Sequence, residues 1–247
     1  MIEVLGQDAW PRHPRVRAAT TTRDGGVSAP PFDTFNLGAR CGDQPASVAE
    51  NRRRLRAQLR LPSEPAWLHQ VHGTRAVYLP SRVDAEPEAD ASWTTEAGDV
   101  CVVQAADCLP VLLADDAGSV VGAAHAGWRG LAGGVLETLV DAMGADPARM
   151  SAWLGPAIGP TAFEVGPEVR EQFVQADPAA ATAFVAGAPG KFLADLFALA
   201  RMRLARSGVS NVHGGGRCTV SDRAAWYSFR RDSRCGRMAT LVWLSDH

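Results

Sequence analysis

The chain has 247 residues, of which 46% are apolar, and this is enough to build a sizeable hydrophobic core. Its formal net charge of -2 gives no reason to expect nucleic acid or an anionic membrane surface as a partner, so chemistry on small molecules is favoured. The first residues lack a signal-peptide pattern and no apolar run reaches the length of a membrane span, which predicts a cytoplasmic protein.

The amino-terminal part is predicted to contain one strand and one helix. A β-branched run indicates a strand over residues 16–22, and Asp24-Gly25-Gly26 then provides a turn. The spacing of apolar residues predicts a helix from Ser47 to Leu59, with Ser47 as its N-cap and Glu50 in the capping-box position.

The centre of the chain is predicted to be rich in strands. Residues 100–105, 111–114 and 120–124 are nearly continuous apolar runs, which is typical of strands covered on both faces. A helix is expected over residues 130–143, and a short strand over residues 150–154.

The carboxy-terminal part is predicted to hold two helices and two strands. The helices are expected over residues 167–176 and 191–207, and the strands over residues 226–229 and 238–244. No internal repeat or linker divides the chain, so we expect one domain spanning residues 1–247. Because strands and helices interleave without a regular βαβ repeat, a mixed sheet is favoured over a doubly wound one.

Three short segments each carry a side chain of the type that binds metals. His72, Cys108 and His125 follow or end predicted strands, where neighbouring elements can converge. Each residue alone is more often structural. Together, two imidazoles and one thiolate would give a soft divalent ion three protein ligands and an open fourth position, as in catalytic zinc sites. Copper competes with zinc for such a ligand set.

Other residues offer weaker signals. Asp107 adjoins Cys108 and is a candidate general base, although a solvated turn aspartate fits equally well. The other cysteines favour structural roles, and we expect all five to be reduced thiols because their number is odd and their spacing wide. The motifs of P-loop enzymes, serine hydrolases and zinc peptidases of the H-E-x-x-H type are absent from the sequence.

Several longer motifs show a specific resemblance that covers about residues 20–244. The sequence resembles the YfiH-like family, whose members are also labelled laccase-domain proteins or peptidoglycan editing factors. The motifs that carry the resemblance are Leu37-Gly38, Gln70-Val71-His72-Gly73-Thr74, Ala106-Asp107-Cys108-Leu109-Pro110-Val111, Ala124-His125-Ala126-Gly127-Trp128-Arg129-Gly130, Gly155-Pro156-Ala157-Ile158-Gly159-Pro160 and Tyr227-Ser228-Phe229-Arg230-Arg231-Asp232.

The resemblance implies an α+β fold, a single domain of mixed β-sheets flanked by α-helices, with zinc held by His72, Cys108 and His125. It also implies phosphorolysis of adenosine, inosine and methylthioadenosine, with deamination of adenosine as a further activity. A purine nucleoside and phosphate would then be the partners, and Asn36 and Arg52 are candidates to bind them. A turn residue and a solvated helix arginine are equally good interpretations of those two positions. Deamination would use water activated by the metal to attack C6 of adenine.

Two other functions stay open at this point. Without a metal, Cys108 would be the nucleophile of an amide hydrolase and a histidine its base, which suits the peptidoglycan-editing label. A non-enzymatic quality-control protein with a structural metal is the other alternative, and it is disfavoured because only three protein ligands are evident. Multicopper oxidation is excluded by the histidine count, since the chain has only six.

Overall fold

Strands and helices interleave along the whole chain in a computed structural model, which describes residues 2–5, 10, 13–81 and 86–246. The strands are β1 (Ile2–Val4), β2 (Val16–Thr21), β3 (Ala76–Tyr78), β4 (Ala91–Thr94), β5 (Val100–Ala105), β6 (Leu109–Asp115), β7 (Val121–Ala126), β8 (Met150–Leu154), β9 (Glu164–Val165), β10 (Phe184–Ala186), β11 (Phe192–Ala194), β12 (Asn211–Gly214) and β13 (Met238–Leu244). The α-helices are α1 (Pro45–Leu59), α2 (Trp128–Gly133), α3 (Val135–Met143), α4 (Pro167–Ala176), α5 (Leu196–Arg206) and α6 (Phe229–Asp232).

The strands form three sheets. A six-stranded mixed sheet has the order β12-β8-β6-β7-β4-β3, and a four-stranded antiparallel sheet has the order β1-β2-β13-β5. A small sheet has the order β10-β11-β9. The mixed sheets with flanking helices confirm the α+β fold class.

The two large sheets pack face to face, and helices cover their outer faces. Period-two alternation along β5 directs Val100 and Val102 toward a cluster that contains Leu55 of α1, whereas Cys101 and Val103 face the second sheet. On the far side, α3 and α5 bury their apolar faces against the six-stranded sheet. Every residue of β6 is buried, as its continuous apolar run predicts.

Two predicted helices have different bounds in the structure. The first begins at Pro45, which presets the helical φ at the first position, so Ser47 lies inside the helix and Gln44 precedes it without a side-chain cap. Glu50 forms ion pairs with Arg53 and Arg54 instead of a capping box. The helix predicted over residues 130–143 is divided into α2 and α3, because Gly134 has a φ of 100°.

Two carboxy-terminal predictions are also wrong in part. Residues 192–194 extend the small sheet as β11, and the helix begins only after Asp195, whose carboxylate accepts hydrogen bonds from Phe197 N and Ala198 N. Residues 226–229 do not form a strand, since Ser228 caps the short helix α6. None of the described helices combines the length and apolar composition needed to span a bilayer.

Candidate metal centre and its cavity

The three ligand-type side chains lie together at one edge of the six-stranded sheet. Antiparallel pairing sets Pro110 of β6 opposite His125 of β7, so Cys108, two residues before Pro110, lies beside the end of β7. His72 approaches from the loop before β3 with a φ of 62°. The ligand atoms of the three residues lie within 4.8 Å of one another.

The separations suit a metal ion held in common. Cys108 Sγ lies 3.7 Å from His72 Nε2, and the centroids of the two imidazole rings are 4.9 Å apart. Tetrahedral zinc bonded to one sulfur and one nitrogen separates these two atoms by about 3.6 Å. The cluster therefore fits a divalent ion, and two nitrogens and one sulfur are ligand types that suit zinc or copper.

Asp90 holds both histidines, a role that the sequence alone did not indicate. Its carboxylate is fully buried and accepts a hydrogen bond of 2.8 Å from His125 Nδ1. It also accepts backbone hydrogen bonds of 2.9 Å from His72 and 2.7 Å from Gly73. Because Nδ1 of His125 is engaged in this way, Nε2 is the nitrogen available to a metal. In the sequence, Asp90 follows the nearby acids Glu86 and Glu88, and only its position directly before strand β4 distinguishes it from them.

Gly127 allows the ligands to approach each other. A Cβ atom at this position would lie 2.8 Å from His72 Cδ2 and 2.9 Å from Cys108 Sγ. At Gly130 a Cβ atom would lie 2.8 Å from the carbonyl oxygen of Gly73. Both glycines bring the start of α2 against the loop that carries His72.

Without a metal, Cys108 and His125 form a charged pair. Burial opposes ionisation of the Cys108 thiol, but the neighbouring His125 charge and hydrogen bonds from both histidines lower its pKa to about 6. Burial likewise opposes protonation of His125, but the Cys108 thiolate and the Asp90 carboxylate raise its pKa to about 9. Burial also opposes ionisation of Asp90, and its bonds to His125 and to backbone N–H groups nevertheless lower its pKa.

Asp107 lies beside Cys108, and its carboxylate is already surrounded by donors. It accepts hydrogen bonds from the hydroxyls of Thr219 and Ser228 and from the backbone N–H of Arg230, the last at 2.6 Å. The side chain is buried and the backbone φ is 88°. Asp107 thus ties the carboxy-terminal segment to the centre, which is the arrangement of a positioning carboxylate. The general-base role stays a prediction.

Asn36 and Arg52 lie in different surroundings. Asn36 is fully buried, and its amide group is bonded to Gly38, Asp43 and the backbone N–H of Arg237. It lies outside the set of cavity-lining residues. Arg52 does line the cavity, with its guanidinium stacked 3.9 Å from the Trp67 ring centroid. Burial lowers the pKa of Arg52, while the carboxylate of Glu86 raises it.

The metal-ligand cluster opens into a cavity of about 560 Å³, a size typical of small-molecule sites. Among the described residues that line it are two carboxylates, Glu86 and Asp107, and two phenylalanines, Phe163 and Phe229. Phe229 is 55% exposed, which is unusual for an aromatic ring in a folded protein. The arginines in the lining are Arg40, Arg52, Arg129, Arg230 and Arg237. An anionic or polar aromatic ligand suits these walls.

Comparisons with known proteins show the family to which this chain belongs. The family model described as multi-copper polyphenol oxidoreductase laccase matches residues 17–245. The chain therefore belongs to this family, whose members include the YfiH proteins.

Relatives cover nearly the whole chain. A purine nucleoside phosphorylase of Pseudomonas aeruginosa is 57% identical over 239 residues, which cover 96% of this chain and 97% of the relative. The purine nucleoside phosphorylase YfiH of Escherichia coli K12 is 52% identical over 235 residues, covering 95% and 96%.

Solved structures share the same fold. A Neisseria meningitidis protein superposes with a TM-score of 0.94 at 48% identity, covering 99% of both chains. YlmD from Geobacillus stearothermophilus superposes with a TM-score of 0.90 at 31% identity, covering 96% of this chain and 94% of that chain.

Proposed function

We propose that the protein is a purine nucleoside phosphorylase that binds zinc through His72, Cys108 and His125. The similarity to relatives with this name over nearly the full chain supports the reaction class. The observation that carries the proposal is the cavity itself, where the three ligand-type side chains meet cationic and aromatic walls. A nucleoside and a phosphate ion are together what such walls recognise.

Phosphorolysis breaks the bond between C1′ of ribose and N9 of the purine and forms a bond between C1′ and a phosphate oxygen. The purine leaves with the electron pair of the broken bond and takes up a proton. When bound, the metal supplies Lewis acidity to the reacting groups. Cationic side chains on one wall of the cavity bind the phosphate anion, and Phe229 offers a ring face to the purine. Asp90 keeps both histidine ligands in place.

The test is a product assay with inosine. Purified protein should release hypoxanthine and an equal amount of ribose 1-phosphate, and omitting phosphate should abolish both products. The variant Cys108→Ser should lose most of its zinc and its activity, because a hydroxyl is a far weaker ligand than a thiolate. Release of hypoxanthine at the same rate without phosphate would identify a hydrolase and contradict the proposal.

Deamination of adenosine is proposed as a second activity of the same centre, on the strength of the family resemblance. It consumes water and not phosphate, so adenosine in phosphate-free buffer tests it alone. Conversion to inosine that falls together with phosphorolysis in His125→Ala would support a shared site. Adenosine that stays unchanged would restrict the function to phosphorolysis.

A cysteine-nucleophile amide hydrolase is the second candidate, and one geometric observation favours it. His125 lies between the Cys108 thiol and the buried Asp90 carboxylate, which is the order of nucleophile, base and orienting acid. This reaction needs no metal, so zinc would inhibit it by occupying the thiolate. Hydrolysis of amide-linked cell-wall precursors by the metal-free protein would support this candidate, and strict zinc dependence would exclude it.

A further inference from the structure

The arginines that line the cavity differ in how their charges are balanced. Arg40 and Arg52 both form ion pairs with Glu86, at 3.2 Å and 3.3 Å. Arg52 also donates to the carbonyl oxygen of Leu37 at 3.1 Å. Glu86 therefore shares its charge between two guanidinium groups, and this side of the cavity already has an internal anion.

The remaining three guanidinium groups, those of Arg129, Arg230 and Arg237, have no carboxylate partner in the part of the chain that the structure describes. Arg230 Nη1 donates to the carbonyl oxygen of Glu164 at 3.0 Å. Arg237 Nη1 donates to two backbone carbonyl oxygens, at 2.8 Å and 3.0 Å. These bonds occupy one nitrogen of each group and leave its positive charge unneutralised.

Two of these arginines are anchored through their backbone N–H groups. The backbone N–H of Arg237 donates to Asn36 Oδ1 at 2.8 Å, and the backbone N–H of Arg230 donates to Asp107. Their guanidinium groups lie over aromatic rings, Arg230 over Phe163 at 5.5 Å and Arg237 over Phe229 at 5.9 Å. The backbone of both residues is therefore anchored, and the ring contacts orient their guanidinium groups in the absence of a ligand.

The neighbouring acid does not cancel these charges. The Asp107 carboxylate bonds to two hydroxyls and to the backbone of Arg230, and it forms no ion pair with either guanidinium. The wall formed by Phe229, Arg230 and Arg237 thus carries excess positive charge. Guanidinium groups present parallel N–H donors that match the oxygens of a tetrahedral dianion.

We propose that Arg230 and Arg237, assisted by Arg129, form the subsite for inorganic phosphate, the second substrate. This inference rests on the proposed phosphorylase function and deepens it. It moves the phosphate away from Asn36 and Arg52, the two positions that the sequence suggested. Asn36 acts through the backbone of Arg237, and the charge of Arg52 is balanced by Glu86.

The test compares Arg230→Gln and Arg237→Gln with a matched control, Arg40→Gln. All three positions line the cavity, but only the control arginine already has a carboxylate partner. Each of the first two variants should raise the KM for phosphate by about tenfold, and the KM for inosine by less than about threefold. Arg40→Gln should change the KM for phosphate by less than about twofold. Thermal melts establish that each variant is folded.

Direct titration of the wild-type and variant proteins with orthophosphate, without nucleoside, gives a readout that does not depend on turnover. Binding should weaken in Arg230→Gln and Arg237→Gln and persist in Arg40→Gln. Equal losses in all three would indicate general attraction and overturn the subsite. A wild-type protein that binds phosphate through these arginines but does not cleave inosine would contradict the proposed function and leave the anion site standing.

A second arm distinguishes free phosphate from the phosphate of a nucleotide. Inosine 5′-monophosphate is titrated in phosphate-free buffer, beside inosine. If the subsite receives inorganic phosphate, the nucleotide should bind no more tightly than inosine. Binding that is tenfold tighter and is lost in Arg237→Gln would assign the arginines to a nucleotide and overturn the inference.

Discussion

Alanine at position 127 should weaken zinc binding without destabilising the metal-free fold. Gly127 has φ of -60° and ψ of 156°, a conformation that alanine adopts freely, so the backbone adds no strain. The added Cβ would lie 2.8 Å from His72 and 2.9 Å from Cys108, about half an ångström inside ordinary contact distance. Metal ligands tolerate displacements of only about 0.2 Å, so both residues cannot move aside and still bind the ion well.

We expect zinc affinity to fall about 10- to 100-fold in Gly127→Ala, as it does when the support of a metal ligand is removed. Competition with a chromophoric chelator measures this change. In the metal-free protein the exposed His72 side chain is able to move, so the free energy of unfolding in urea should change by less than about 1 kcal/mol.

Gly133→Ala is the control, because its Cβ would contact only the methyl group of Thr74, at 3.0 Å. Zinc affinity should stay within about twofold of the wild type in that variant. Unchanged zinc affinity in Gly127→Ala would mean that His72 and Cys108 do not hold the same ion.

Three further predictions concern Asp90, Cys108 and Tyr227. Asp90→Asn places an amide N–H₂ group among backbone and imidazole donors, so the free energy of unfolding in urea should fall by about 2–4 kcal/mol. Chelator competition should show weaker zinc binding. A stable variant with intact zinc affinity would contradict the role of Asp90. In metal-free protein the lowered pKa of Cys108 keeps the thiolate present above about pH 6, so iodoacetamide should alkylate it with a midpoint near pH 6. His125→Ala removes the stabilising imidazolium and should move the midpoint of alkylation to higher pH. A midpoint near pH 8.5 in the wild-type protein would refute the charged pair. Tyr227→Phe removes a buried 2.6 Å hydrogen bond to Phe32 O and should cost about 1–2 kcal/mol in urea unfolding at unchanged zinc affinity.

The sequence predicts the central strands well because their apolar runs are covered on both faces. The predicted strands over residues 100–105, 150–154 and 238–244 match β5, β8 and β13. The structure also brings together His72, Cys108 and His125, because each lies next to an element whose position the sheet pairing determines. Local pattern and tertiary position agree at these residues.

Other features depend on contacts that the local pattern does not encode. Asp90 reaches His125 across 35 residues through the pairing of β4 with β7, and nothing near Asp90 in the sequence announces this. Residues 192–194 fit a helical stripe, yet they form a strand because the partners β9 and β10 are present. Arg52 and Arg237 are both arginines, and the sequence does not show which of them has a carboxylate partner. In the structure Glu86 lies beside Arg52 and balances its charge, whereas the charge of Arg237 is not balanced in this way.

We propose that phosphorolysis in this cavity depends on a single ion held by His72, Cys108 and His125. Zinc is added stepwise to metal-free protein while phosphate-dependent release of hypoxanthine from inosine is followed. Activity should rise in proportion to bound zinc and level off at about one ion per chain, and Cys108→Ser should stay inactive at the same zinc concentrations. Full phosphorolysis by protein shown to be free of metal would contradict this role of the ion.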